Sequence, residues 1–141
     1  MSSSITNYGV GSATYQAAGG LKGIRQLVND FYNIMNTSNN YKIIREMHPG
    51  DLAISKDKLT CFLSGWMGGE RLFSEKYGSI NIPQFHAFIK IGEKERDQWL
   101  DCMQESLAKQ NYPESLKTYL IEQLWVPAER IRIASKQRHE K

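Results

Sequence analysis

Seven apolar residues, Leu21, Ile24, Leu27, Val28, Phe31, Ile34 and Met35, recur at steps of three and four. At 3.6 residues per turn that spacing lays them along one stripe, and it predicts a helix over about 21–35. The pattern returns three times: in Leu52, Leu59, Phe62, Leu63 and Trp66; in Trp99, Cys102, Met103 and Leu107; and in Leu116, Leu120, Ile121, Leu124 and Trp125. No segment alternates as a strand does, and no internal repeat is present. The predicted fold is all-α, with six to eight helices of unequal length, which suits a non-bundle packing better than an up-down bundle.

Punctuation residues divide these helices. Gly19-Gly20 ends a short helix over about 13–18, and Gly68-Gly69 ends the one over 52–66, because glycine enters the left-handed region that stops helices. Asn36 to Asn40 is a polar turn leading to a brief helix over 41–47. His48 has to leave that helix, since Pro49 disfavours helical geometry in the residue before it. Residues 70–81 read as a loop with room for one helical turn, and Pro83 suits the first turn of a short helix reaching Ile89. Glu93, Glu95 and Asp97 favour the start of a helix over 93–109, and the last long helix is predicted to stop at Pro127.

A length of 141 residues fits one domain. The expected division is an N-terminal extension with a short helix over 1–18, a compact domain over 19–127 and a basic tail over 128–141. That tail holds five Lys or Arg against two Glu, so it carries the whole net charge of +3 and reads as a frayed, solvated end. The rest of the chain is balanced in sign and leaves no basic face to follow phosphates, so nucleic acid is not an expected partner. No run reaches the roughly 18 apolar residues needed to span a bilayer, and the first residues have no signal-peptide pattern; the expected location is the cytoplasm, without a membrane partner. Cys61 and Cys102, each within an apolar helical pattern, read there as buried thiols.

Signatures of common catalytic sites are missing: there is no Gly-rich phosphate loop, no Cys-x-x-Cys, no His-Glu-x-x-His and no nucleophile elbow. The histidines are His48, His86 and His139. His86 lies in the apolar run Ile82-Pro83-Gln84-Phe85-His86-Ala87-Phe88-Ile89. Taken alone, such a histidine is more often a satisfied structural residue than a ligand. Tyr32, Phe62 and Trp99 would likewise default to core aromatics, and the default function to a helical interaction module.

The residues as a set read differently. Phe31-Tyr32, His48-Pro49, Phe62-Leu63 with Trp66 and Gly68-Gly69, His86-Ala87, and Glu95 to Met103 resemble, in order and spacing, the truncated haemoglobins, most closely their second group, often called the O type. The resemblance covers about 19–124. It implies a two-over-two helical sandwich around haem b, with His86 as the proximal iron ligand. It also implies haem contacts from Phe62, Leu59, Tyr77, Phe85 and Met103, and makes Arg71 a candidate for a propionate, where a guanidinium matches a carboxylate bidentately. On the distal side it places Tyr32, His48 and Trp99, with Ile54 or Ser55 lining the pocket. A phenol O–H and an indole N–H aimed at bound oxygen, which carries partial negative charge, form strengthened hydrogen bonds.

The implied function is reversible binding of O2, NO or CO, for oxygen binding, transport or storage. Oxidation of nitric oxide, or reaction with peroxide, is the enzymatic alternative and requires a reductase or another electron donor. The chain departs from the family pattern at three places. His48 stands where many relatives have tyrosine or phenylalanine, which leaves it open as a donor, a pH-sensitive gate or a sixth ligand. Phe88-Ile89 replaces the commoner Pro-Phe after the proximal histidine, and Glu70 stands where proline is frequent.

Overall fold

The computed structural model describes residues 7–78 and 90–139. Within them seven α-helices follow one another: α1 (Ala13–Ala17), α2 (Gly20–Thr37), α3 (Lys42–Glu46), α4 (Ala53–Trp66), α5 (Leu72–Tyr77), α6 (Glu93–Ala108) and α7 (Glu114–His139), with a 3-10 turn, Asn39–Tyr41, ahead of α3. Helix α2 packs on α4, α6 packs on α7, and α2 against α6 joins the two pairs. This is the two-over-two sandwich. The short helix expected after Pro83 lies outside the described residues.

The α2 stripe forms the centre of the core. Ile24, Leu27, Val28, Phe31, Ile34 and Met35 are all buried, and they meet Leu63 of α4, Cys102, Met103 and Leu107 of α6, and Leu116, Leu120 and Leu124 of α7. Each fully buried aliphatic side chain of this kind contributes about 1.5–3 kcal/mol, which outweighs helix propensity in segments this short.

Both glycine pairs do more than stop helices. Gly68 has φ +94, and a Cβ placed on it would sit 2.0 Å from the Gly11 carbonyl oxygen. A Cβ on Gly69 would lie 2.3 Å from the Tyr15 ring. The end of α4 is therefore the seat of the N-terminal segment, which also binds there through the Tyr15 N–H to the Met67 carbonyl at 3.0 Å.

The helical turn allowed for after Glu70 is α5, which occupies 72–77. Its anchor is Tyr77, whose hydroxyl donates to Asp57 Oδ2 at 2.5 Å, with Lys76 Nζ 3.2 Å from the same carboxylate. The Asp57 hydrogen bond pushes the Tyr77 phenol up to about 12, and the same bond lowers the Asp57 carboxyl.

One expectation needs correction, at the end of the last helix. α7 runs through Pro127 to His139 and does not end in a frayed tail at 128. A proline inside a helix costs about 3 kcal/mol, so contacts beyond it have to offset that loss. Glu129 joins Arg96 of α6 at 2.8 Å and Arg132 at 2.5 Å, the Arg96 guanidinium lies 5.6 Å from the Trp125 ring centre, and Ala134 and Ser135 are buried. Ser135 Oγ accepts from the Ile91 N–H at 2.8 Å.

Arg132 and then Arg96 hold the Glu129 carboxyl down, from 4.5 to about 2. A depressed carboxyl stabilises the fold above its unfolded value and loses that contribution as pH falls towards the folded one. Acid titration of the helical circular dichroism is therefore expected to show α7 loosening between 4.5 and about 2. Glu129→Gln is expected to remove that step and leave an already weakened α7 at neutral pH.

Candidate functional site

The site is built on the second half of α2. Phe31 faces the core, and Tyr32, one residue on, is 4% exposed. The Phe31 ring meets Tyr32 edge-on at 5.0 Å and Trp99 of α6 at 5.2 Å. A single buried phenylalanine thus ties the phenol to the indole. The sequence shows Phe31 only as a core position, and nothing in its spacing signals this bridging contact.

His48 completes the group from the end of α3. Its ring stands edge-on to Tyr32 at 5.6 Å, and its Nδ1 lies 2.8 Å from the Ile44 carbonyl. A carbonyl can only accept, so Nδ1 carries the proton, and in the neutral ring Nε2 is an acceptor. The His48-Pro49-Gly50 turn is held by Arg45, whose Nε donates to Asn36 Oδ1 at 2.8 Å and whose two terminal nitrogens donate to the Pro49 and Gly50 carbonyls, both at 3.0 Å. This clamp is a second feature that no sequence pattern announces.

The Tyr32 hydroxyl is the chemically notable atom. Burial, and then the nearby Cys102, push its pKa up, so the phenol stays protonated and is a donor throughout the neutral range. Its hydrogen bond among the described residues is a long one, 3.5 Å to the Ser55 carbonyl, at the limit of what counts as bonding. A buried O–H held this loosely retains most of its capacity for a stronger acceptor.

In the first turn of α4 the Ser55 backbone carbonyl lies beside the Tyr32 hydroxyl, and the neighbouring Ile54 is 61% exposed. Leu59 and Phe62 of α4 and Trp99 of α6 pack on the core yet stay partly exposed. Phe62 stacks on Trp66 with ring centres 6.4 Å apart.

Met103 is fully buried in the core, and Arg71 is exposed at the turn between α4 and α5. Tyr77 commits its hydroxyl to Asp57. Phe85 and His86 lie outside the described residues. The residues flanking that segment are pinned, Tyr77 to Asp57 on α4 and Ile91 to Ser135 on α7.

Both cysteines are buried free thiols. Cys102 donates to the Phe31 carbonyl at 3.3 Å and Cys61 reaches Asp57 at 3.8 Å. Among the described residues no group of His, Cys, Asp and Glu could hold a metal ion by itself, and no helix is long and apolar enough to cross a membrane.

Donors and apolar surface of this kind fit a haem. Leu59, Phe62 and Trp99 are partly exposed apolar side chains suited to a flat macrocycle, and Tyr32 and Trp99 carry uncharged donors. A two-over-two sandwich with an aromatic donor set at the α2–α6 crossing defines a small globin. The chain belongs to the bacterial-like globin family, whose model matches residues 13–132. It is 26% identical over 117 residues to the group 2 truncated haemoglobin YjbI of Bacillus subtilis, covering 83% of this chain and 86% of that one.

Two solved structures extend the comparison. The cold-adapted truncated haemoglobin of the Antarctic bacterium Pseudoalteromonas haloplanktis superposes with a TM-score of 0.80 at 32% identity, over 84% of this chain and 95% of that one. The group II 2-on-2 haemoglobin of Agrobacterium tumefaciens does so with a TM-score of 0.75 at 32% identity, over 96% and 97%. The resemblance drawn from the motifs is thus met in family, group and fold. Membership implies ligand binding at a haem.

Proposed function

We propose that this chain binds oxygen reversibly at a haem b whose iron is ligated by His86, with NO and CO as further ligands, and that Tyr32 and Trp99 retain the bound molecule. Within the globin family the observation that carries this reading is Tyr32: a buried, protonated phenol whose hydroxyl has, among the described residues, a single long contact of 3.5 Å, next to His48 and sharing Phe31 with Trp99. Leu59 and Phe62 would hold the haem, which when bound would supply an iron able to bind a diatomic molecule.

The other steps belong to the side chains. Tyr32 donates its hydroxyl proton in a hydrogen bond to the polarised ligand, and Trp99 donates its indole N–H from the facing helix. Neither proton is transferred, because burial keeps the phenol far from ionisation. His48, its ring edge-on to Tyr32 at 5.6 Å, borders the same space. Phe62, Leu59 and the Phe31 bridge keep water from competing for those donors, which strengthens each bond.

His86 as ligand is supported by its place in the family motif. Noncovalent haem b is supported by the state of the thiols, since both are turned to partners inside the fold. Stopped-flow mixing of the ferrous oxygenated protein tests the function. Slow, reversible oxygen release is expected, with NO consumed only up to the amount of bound oxygen. Sustained NO or peroxide turnover on supplying an electron donor would replace the binding role with an enzymatic one.

A further inference from the structure

We propose that Cys102 and Ser106 are positioning residues for the distal pair: their hydrogen bonds to α2 carbonyls fix the register of α6 on α2, and with it the placement of Trp99 relative to Tyr32. Ser106 Oγ donates to the Leu27 carbonyl at 2.7 Å, and Cys102 Sγ donates to the Phe31 carbonyl at 3.3 Å. The partners step by four residues on each helix in opposite directions, so the two bonds are successive rungs, one per turn, between antiparallel helices.

These rungs are not forced by backbone satisfaction. The carbonyls of Leu27 and Phe31 lie inside α2, where each already receives the N–H four residues on, and the side chains use the second lone pair. A rung of this kind specifies position. Both side chains are short and both residues are 0% exposed, so the bonds form only while the helices approach closely. The Tyr112 hydroxyl continues the series beyond α6, donating to the Ala18 carbonyl at 2.9 Å and the Gly23 carbonyl at 3.4 Å. Carbonyls 23, 27 and 31, one on each turn of α2, therefore all accept from α6 or the loop that follows it.

Phe31 is where this ladder meets the site. Its carbonyl receives Cys102, its ring touches both Trp99 and Tyr32, and Trp99 lies one turn before Cys102 on α6. Sliding α6 along α2 would break both rungs before it moved Trp99 by a turn. A donor displaced by a few tenths of an ångström loses much of its strength, because hydrogen bonds weaken steeply with length and angle.

The proposal rests on the haem-ligand reading above, and its test separates the two. Oxygen dissociation, the C–O stretching frequency of the carbonyl complex and thermal midpoint are measured for Ser106→Ala, Cys102→Ala, Cys102→Ser and Trp99→Phe. The expected results are a several-fold faster release and a shifted C–O stretch for Ser106→Ala and Cys102→Ala, recovery in Cys102→Ser, which keeps a donor, and no additional acceleration when Ser106→Ala is combined with Trp99→Phe. Ser106→Ala deletes one oxygen and carries the test alone should Cys102→Ala not fold. A lowered thermal midpoint with unchanged release and stretch overturns the proposal and leaves the rungs as packing. If Trp99→Phe itself releases oxygen at the wild-type rate, the reading of the distal site fails, and the positioning role fails with it.

Discussion

Trp99→Phe is expected to release oxygen about tenfold to a hundredfold faster than the wild-type protein, the equivalent of losing one charge-assisted hydrogen bond of about 1.5–3 kcal/mol. Phenylalanine keeps an aromatic ring against Phe31, 5.2 Å away in the wild type, while it removes the indole N–H together with part of the ring. Tyr32→Phe is expected to act in the same direction. Its phenol stays protonated because burial raises its pKa, so this contribution is constant across neutral pH. An oxygen off-rate in Trp99→Phe equal to that of the wild type would remove Trp99 from the ligand network.

His86→Ala is expected to weaken haem retention by at least about a hundredfold, since changes even to the groups that orient a metal's ligands cost tenfold to a hundredfold. Leu59, Phe62 and Trp99 would still offer an apolar wall, so haem would enter and leave rather than be refused. The measurement is transfer of hemin from the variant to an apoglobin acceptor, followed by its absorption. Added imidazole is expected to slow the transfer by filling the place of the deleted side chain. Wild-type retention in His86→Ala would assign the iron to another ligand.

Much of the fold is legible because its signals are local. The α2 stripe, Gly19-Gly20 before it, the Glu93–Asp97 acidic start of α6 and the turn at Asn111-Tyr112-Pro113 each specify an element within a few residues. Pro127 misleads for the opposite reason. The contacts that carry α7 past it, Arg96 to Glu129 and Ile91 to Ser135, come from residues more than thirty positions away, and no local pattern announces them. The short α5 is obscured in the same way, since what holds it is Tyr77 reaching back to Asp57 across twenty residues.

The site divides along the same line. Tyr32, His48 and Trp99 are recognisable by type and order, and the structure places His48 and Tyr32 in ring contact and joins Trp99 to them through Phe31. Ile54 and Ser55 differ by a rotation of about 100° at the first turn of α4, smaller than the register error of a sequence pattern. Arg45, Cys102 and Ser106 act through backbone carbonyls of distant residues, and carbonyls leave no mark in a sequence.

Titration of the purified chain with hemin, followed by absorption before and after reduction and on exposure to oxygen and CO, tests the haem-binding role most directly. The expected result is saturation at one haem per chain, with a sharp Soret band that shifts on reduction and again with each gas. A protein that shows only the spectrum of free hemin at every ratio, and no gas-dependent shift, contradicts it.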